Sequence, residues 1–196
     1  MLNKENPYWP NNTIYFLTGS TFLHYPYFKE DEQKQILLNQ IRKVEEKLRI
    51  SIPLYSIAIN HYHIKFYLKN GLDLSKIKQL IHGGTSYEYK KRFKMKYKEM
   101  WQSSKVLQVT SEEMDWKITG YIAGNLLKHK EVSTLKELMN NPFSCYRQLI
   151  KKYSEDLINN LIYSVIDIDE NTEAEINIDA MKEAKASIPT PSAKAG

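Results

Sequence analysis

At 196 residues the chain has room for one domain with a sizeable core and a short appendage. Its 42% hydrophobic content is ordinary for a globular protein, and no apolar run approaches the roughly eighteen residues that a transmembrane helix needs, so no membrane partner is expected. The net charge of +5 conceals a split: residues 1–153 carry +11 and residues 154–196 carry −6. A basic body of that kind argues for a polyanionic partner such as nucleic acid, without choosing among DNA, RNA and anionic lipid.

Residues 1–12, with Pro7, Pro10, Asn11 and Asn12, read as a loose lead-in without the apolar stretch of a signal peptide. A cytoplasmic location is therefore expected, and the single Cys145 fits a reducing compartment as a small packing residue. Residues 13–21 are rich in β-branched and aromatic residues, which predicts a buried strand. A loop with Pro26 follows. From Glu30 to about Leu48, Ile36, Leu37, Ile41, Val44 and Leu48 recur at helical spacing, and Glu30, Asp31 and Glu32 suit the positive end of the helix dipole. Pro53 marks entry to a strand over 54–59, Asn60 is a turn or bulge, and 64–68 continues as a strand until the Asn70-Gly71 turn signal. A helix begins at Leu74, His82-Gly83-Gly84 interrupts or bends it, and 86–98 is again helical in period. Residues 101–109 read as a short extended or hairpin segment. Thr110-Ser111-Glu112-Glu113 signals a helix start, and the helix covers 114–128. A further helix is predicted over 142–153, with 156–166 continuing it. From Asp167 on the acidic, then Ala-, Ser- and Pro-containing sequence predicts a disordered end. This order of elements predicts an α+β architecture, an antiparallel sheet with helices packed on it.

Three groups of residues carry chemistry. His61 and His63 flank Tyr62, and on a strand two side chains one residue apart point to the same side, where paired imidazoles make a divalent-metal clamp. The same pattern also suits a strand face that merely carries two histidines. Tyr121 and Asn125 are four apart on a predicted helix, so they share a face, between Gly120 and Gly124, which are costly inside a helix and make sense where it must approach something closely. Packing alone would equally explain a tyrosine there. Lys90, Lys91, Arg92, Lys94, Lys96 and Lys98 put six cations in nine residues, interleaved by Phe93 and Tyr97. Cations neutralise phosphates and aromatic faces stack unpaired bases, although the aromatics fit a core role as well. His24, His82 and His129 lack a matching spacing and read as solvent or packing residues.

Taken together, Asn60-His61-Tyr62-His63, Trp101-Gln102 and Tyr121-Ile122-Ala123-Gly124-Asn125 resemble the single-tyrosine HUH transposases (histidine, hydrophobic residue, histidine), and within them the REP-associated branch related to small insertion-sequence transposases. The likeness runs from about Thr13 to Tyr153 and includes the Pro26-Tyr27-Phe28 loop and Phe143-Ser144-Cys145-Tyr146-Arg147. Two positions depart from the pattern: Ile59 and Leu126 stand where the family often has proline, and the second suggests that the tyrosine helix runs on to Lys128 or His129.

The resemblance implies a ferredoxin-like HUH endonuclease fold over 13–153, followed by an acidic extension over 154–196 that is helical at first. It implies Mg²⁺ or Mn²⁺ held by His61, His63 and Asn125, with Zn²⁺ less suited to a donor set without thiolates. It implies Tyr121 as the nucleophile that forms a 5′-phosphotyrosine link on single-stranded or hairpin DNA, and so a metal-dependent endonuclease and strand transferase acting in transposition. It also implies that the basic stretch contacts the DNA backbone, with Lys65 and Lys117 as weaker contacts. Family members include dimers and monomers, so a homodimer and a monomer both remain open. A hairpin-binding protein that has lost strand transfer, and an RNA-binding protein using the basic aromatic stretch, are the competing readings.

Overall fold

The structure, a computed structural model, describes residues 9–167. The expectations for residues 1–8 and for a disordered end from 168 onward lie outside the described residues. In chain order the elements are β1 (Thr13–Thr21), α1 (Asp31–Leu48), β2 (Leu54–Ile57), β3 (His61–Leu68), α2 (Asp73–Arg92), β4 (Trp101–Val109), α3 (Glu112–Lys128), α4 (Leu135–Asn140), α5 (Tyr146–Lys152) and α6 (Glu155–Val165). The four strands form one sheet in the order β2-β3-β1-β4, and every pairing is antiparallel. This is the ferredoxin-like arrangement of an α+β fold.

Alternation along the strands decides what each face of the sheet holds. Tyr62 on β3 points toward α2, where its hydroxyl meets His82 Nε2 at 2.9 Å. Its neighbours His61, His63 and Lys65 point the other way, toward α3. Both faces are covered, so seven of the eight β3 residues are buried. Burial without a compensating charge pushes the Tyr62 phenol far above its ordinary range and pulls His82 down to about 4, with Lys78 adding to the effect on His82. His82 is thus a neutral packing ring, stacked on Trp101 at a centroid distance of 4.3 Å.

The expected break in α2 does not occur: the helix runs unbroken through His82-Gly83-Gly84. Ile77, Ile81, Thr85 and Tyr89 carry one buried stripe across the glycines. Gly84 is where α1 comes close, because a Cβ there would lie 2.3 Å from Gln40 Oε1. The helix instead stops at Arg92, short of the predicted Lys98, and Phe93 turns extended (φ −131°, ψ 149°). Aromatic packing explains the stop. Phe93 lies against Tyr89 at 5.0 Å, and Tyr97 packs edge-on to Phe22 and Tyr25 while its backbone N–H donates to Tyr27 Oη. Residues 101–109 take the extended alternative and form the edge strand next to β1. The helix expected over 142–153 begins only at Tyr146, α4 was not anticipated, and α6 is a separate helix capped by Ser154, which accepts from Leu157 N–H.

α3 runs to Lys128, as the missing proline at Leu126 suggested. Its glycines serve α6. A Cβ on Gly120 would sit 2.6 Å from the Leu161 carbonyl oxygen, whereas one on Gly124 would meet only the Ile162 side chain. Gly120→Ala should therefore force the two helices apart. Overpacking of this kind costs about 1–3 kcal/mol, and the gain in helix propensity of about 1 kcal/mol offsets only part of it. Urea denaturation should show Gly120→Ala clearly less stable than Gly124→Ala, whose colliding side chain can rotate; equal midpoints would contradict this packing account. Among the described residues no helix is long and apolar enough to cross a membrane.

Candidate functional site

The α3 face of the sheet brings four sequence-separated side chains together. The His61 and His63 ring centroids are 4.9 Å apart, and Tyr121 from α3 meets His63 edge-on at 5.0 Å. Phe16 on β1 stacks on His63 at 5.4 Å and supports the Tyr121 ring from the side at 6.2 Å. One turn along α3, Asn125 Nδ2 lies 3.1 Å from His61 Nε2. All four groups are buried, with His61 and Tyr121 each 7% exposed, His63 3% and Asn125 0%.

Neighbouring polar groups fix their orientation. Asn60 Oδ1 lies 2.7 Å from His61 Nδ1, and because a carboxamide oxygen only accepts, Nδ1 carries the proton and Nε2 presents its lone pair. Thr18, the cross-strand partner of His63, holds His63 Nδ1 at 2.8 Å. Ser56 Oγ donates to Asn125 Oδ1 at 3.0 Å. The turn that leads into β3 is anchored from α1 and from beyond α3: the Ile59 N–H donates to Glu131 Oε1 at 2.8 Å, and Lys34 pairs with the same carboxylate. A proline at position 59 could not make that bond, which gives the Ile59 departure a physical role here.

Helix α3 is aimed by its first turns. Ser111 caps it by accepting the Met114 N–H. Lys65 then pins it to β3, donating to Asp115 Oδ1 at 2.8 Å, to the Asp115 carbonyl and to Thr119 Oγ1. This corrects the expectation that Lys65 contacts DNA. Its ammonium is buried and committed inside the fold, and desolvation lowers its pKa against the opposing pull of Asp115. Lys117 is corrected in the same way: it is 2% exposed and paired with Glu113 at 2.8 Å. Both cations are committed to bonds that hold the Tyr121 helix in place.

The six cations of the basic stretch are all exposed. Lys90, Lys91 and Arg92 end α2, and Lys94, Lys96 and Lys98 lie on the loop that follows. Arg92 approaches Glu32 and Glu88 only at 3.9 and 4.0 Å, and Lys91 sits over the exposed Tyr87 ring at 4.2 Å. The loop joins β4 at Trp101, which pairs with Thr21, next to the residue opposite His61. The cations thus flank the sheet end that carries the histidines, but from the opposite helical layer. Phe93 and Tyr97 are turned into the fold and take the core role.

Other residues border the site, and of these Lys128 has no site role in the sequence reading. Lys128 holds its ammonium 5.1 Å over the Tyr121 ring; its spacing of seven from Tyr121, two helical turns, was the available signal. The exposed His129 packs its ring against His61 at 4.6 Å. Tyr121 and Lys128 also border a shallow recess whose far wall is Ile162, Val165 and Ile166, so α6 of the C-terminal extension forms part of the surroundings. Cys145 is fully buried, its thiol pushed up to about 12 by desolvation, as a packing residue should be.

Two imidazoles and an amide, converging from β3 and α3, form a donor set suited to a small divalent cation that keeps open positions for other ligands. Among the described residues no group of three or more His, Cys, Asp or Glu offers an alternative metal site.

The family model described as "Transposase IS200 like" matches residues 17–125, a span that contains all four clustered side chains. Among curated proteins none matches. Among solved structures, a REP-associated tyrosine transposase bound to a REP hairpin is similar with a TM-score of 0.63 at 19% identity, covering 77% of this chain and 87% of that one, which supports the fold. A transposase candidate from Deinococcus radiodurans R1 (TM-score 0.46, 16% identity, 62% of this chain and 95% of that one) and the tRNA(His) guanylyltransferase of Saccharomyces cerevisiae (TM-score 0.47, 10% identity, 85% and 83%) are more distant and carry no argument. On the family match and the fold, the chain belongs to the IS200-like transposase family.

Proposed function

We propose that the chain is a metal-dependent DNA endonuclease and strand transferase that acts on single-stranded or hairpin DNA through Tyr121. The observation that carries this reading is the buried convergence of the Tyr121 phenol with His61, His63 and Asn125. His61 and His63 would hold Mg²⁺ or Mn²⁺ through their Nε2 atoms, with Asn125 as the third protein ligand. When bound, the ion supplies Lewis-acid stabilisation to the oxygens of the scissile phosphate.

The chain's own residues do the rest. The Tyr121 oxygen gives up its proton to solvent and attacks phosphorus, the bond from phosphorus to the leaving 3′-oxygen breaks, and that oxygen takes up a proton from solvent as a free 3′-hydroxyl. The product is a 5′-phosphotyrosine, and because the bond energy is retained, a strand's 3′-hydroxyl can later displace the tyrosine without a nucleotide cofactor. A phenol titrates near 10 and needs help to attack at neutral pH. The Lys128 ammonium over the Tyr121 ring would offer part of that help as a nearby positive charge. Since Tyr121 already meets His63 within one chain, the helix would serve its own metal site, and a monomer would suffice for cleavage. The exposed cations of 90–98 would neutralise backbone phosphates, and the protein would work in the cytoplasm on the nucleoid.

The likeness to a transposase solved with a REP hairpin makes hairpin DNA the first substrate to try. Incubation of labelled hairpin and single-stranded DNA with Mg²⁺ or Mn²⁺ should give a protein–DNA adduct that survives denaturant, and chelation by EDTA should abolish it. Tight binding without any adduct under either metal would overturn the reading and leave a hairpin-binding protein.

A further inference from the structure

Ser56 lies on β2 directly across from His63 and is fully buried. Its hydroxyl donates to one end of the Asn125 amide, Oδ1, at 3.0 Å, while the other end, Nδ2, lies 3.1 Å from His61 Nε2. With Nδ1 protonated against Asn60, the Nε2 lone pair is what receives the Asn125 N–H. That lone pair is the one an ion would need, so the amide caps the imidazole. A half-turn about the terminal torsion of Asn125 exchanges Oδ1 and Nδ2, at a site where the helix itself need not move. After the exchange Oδ1 faces the His61 side and Nδ2 faces Ser56. A hydroxyl serves both states, because it donates to Oδ1 in one and, by rotating its proton, accepts from Nδ2 in the other. An alanine would leave the buried amide end unsatisfied in both, and a purely accepting or purely donating side chain would suit only one.

We propose that Ser56 is a positioning residue for metal loading: it steers the Asn125 amide between a state that caps His61 and a reversed state that offers Oδ1 to the ion. This rests on the assignment of His61, His63 and Asn125 as ligands. Ser56 acts only through Asn125, and the reversal couples ion entry to uncapping of the imidazole.

The test is Mn²⁺ binding to the full chain, read by electron paramagnetic resonance, so that it does not depend on turnover. Ser56→Ala should weaken Mn²⁺ binding by about tenfold or more, the scale for loss of a group that orients a metal ligand. Ser56→Thr, which keeps the hydroxyl, should stay within a few-fold of wild type, and thermal melts of the metal-free variants establish that they fold. In an Asn125→Ala background, Ser56→Ala should have no further effect, whereas a merely structural role would persist. In ¹⁵N-labelled wild type, the coupling between Asn125 Nδ2 and His61 Nε2 should be present without metal and vanish on adding Mg²⁺. Equal Mn²⁺ affinity of wild type and Ser56→Ala, or a coupling that survives Mg²⁺ binding, would overturn the proposal and leave the ligand assignment intact. Absence of Mn²⁺ binding in the wild type would overturn both.

Discussion

Tyr121→Phe should abolish adduct formation while leaving hairpin binding unchanged. The substitution keeps the ring, and with it the packing against His63 and Phe16, and removes only the oxygen that would bond to phosphorus. Losing the nucleophile of a covalent mechanism brings the rate to background, a fall of roughly 10⁴-fold or more. Phe16 and His63 pack against the ring and Lys128 lies over it, so the substitution leaves these contacts in place. Denaturing gels after long incubation give the rate, and gel shift in the presence of Mg²⁺ gives the binding. An adduct formed by Tyr121→Phe at anything near the wild-type rate would contradict the role of the phenol.

His61→Ala should have the second-largest effect, and by a different route. It removes one of two imidazoles from the donor set and leaves Asn125 Nδ2 without its His61 partner, on a residue that is 0% exposed. Mn²⁺ affinity should fall by about 100-fold or more, and cleavage should fall with it at fixed metal concentration. Raising the Mn²⁺ concentration should restore part of the rate, which separates lost binding from lost chemistry. His24→Ala, which changes an exposed ring outside the cluster, should match the wild type. A His61→Ala protein with unchanged Mn²⁺ dependence would mean that the imidazole pair is structural.

The sequence carried the βαββαβ order because its strands are written in unusually plain terms: Thr13–Thr21 and His61–Leu68 are dense in β-branched and aromatic residues and bounded by turn signals. It also carried the alignment of His61 with His63, and of Tyr121 with Asn125, since both follow from the periods of strand and helix. Where it misled, tertiary packing overrode a local signal. Gly83 and Gly84 look like a helix break, yet the buried stripe of α2 continues through them and Gln40 occupies the space that Gly84 leaves. The helical period of 86–98 is genuine as far as Arg92, but Phe93 and Tyr97 gain more by packing on Tyr89, Tyr25 and Phe22 than by extending an exposed helix. Lys65 and Lys117 look like ligand contacts in the sequence because a lysine's charge is visible there and its burial is not. Asp115 and Glu113, which neutralise them, read more simply as charges at a helix start. Ser56 and Thr18, which orient the cluster, belong to residue types too common to stand out until β2 and β1 bring them against Asn125 and His63.

The most direct test is to find which atom of the protein carries the DNA. The adduct formed with Mg²⁺ and a hairpin can be digested with nuclease and trypsin and the nucleotide-bearing peptide sequenced by mass spectrometry. The account predicts a 5′-linked nucleotide on Tyr121, within the tryptic peptide Ile118–Lys128. A link to any of the other thirteen tyrosines, or to a serine, would contradict it.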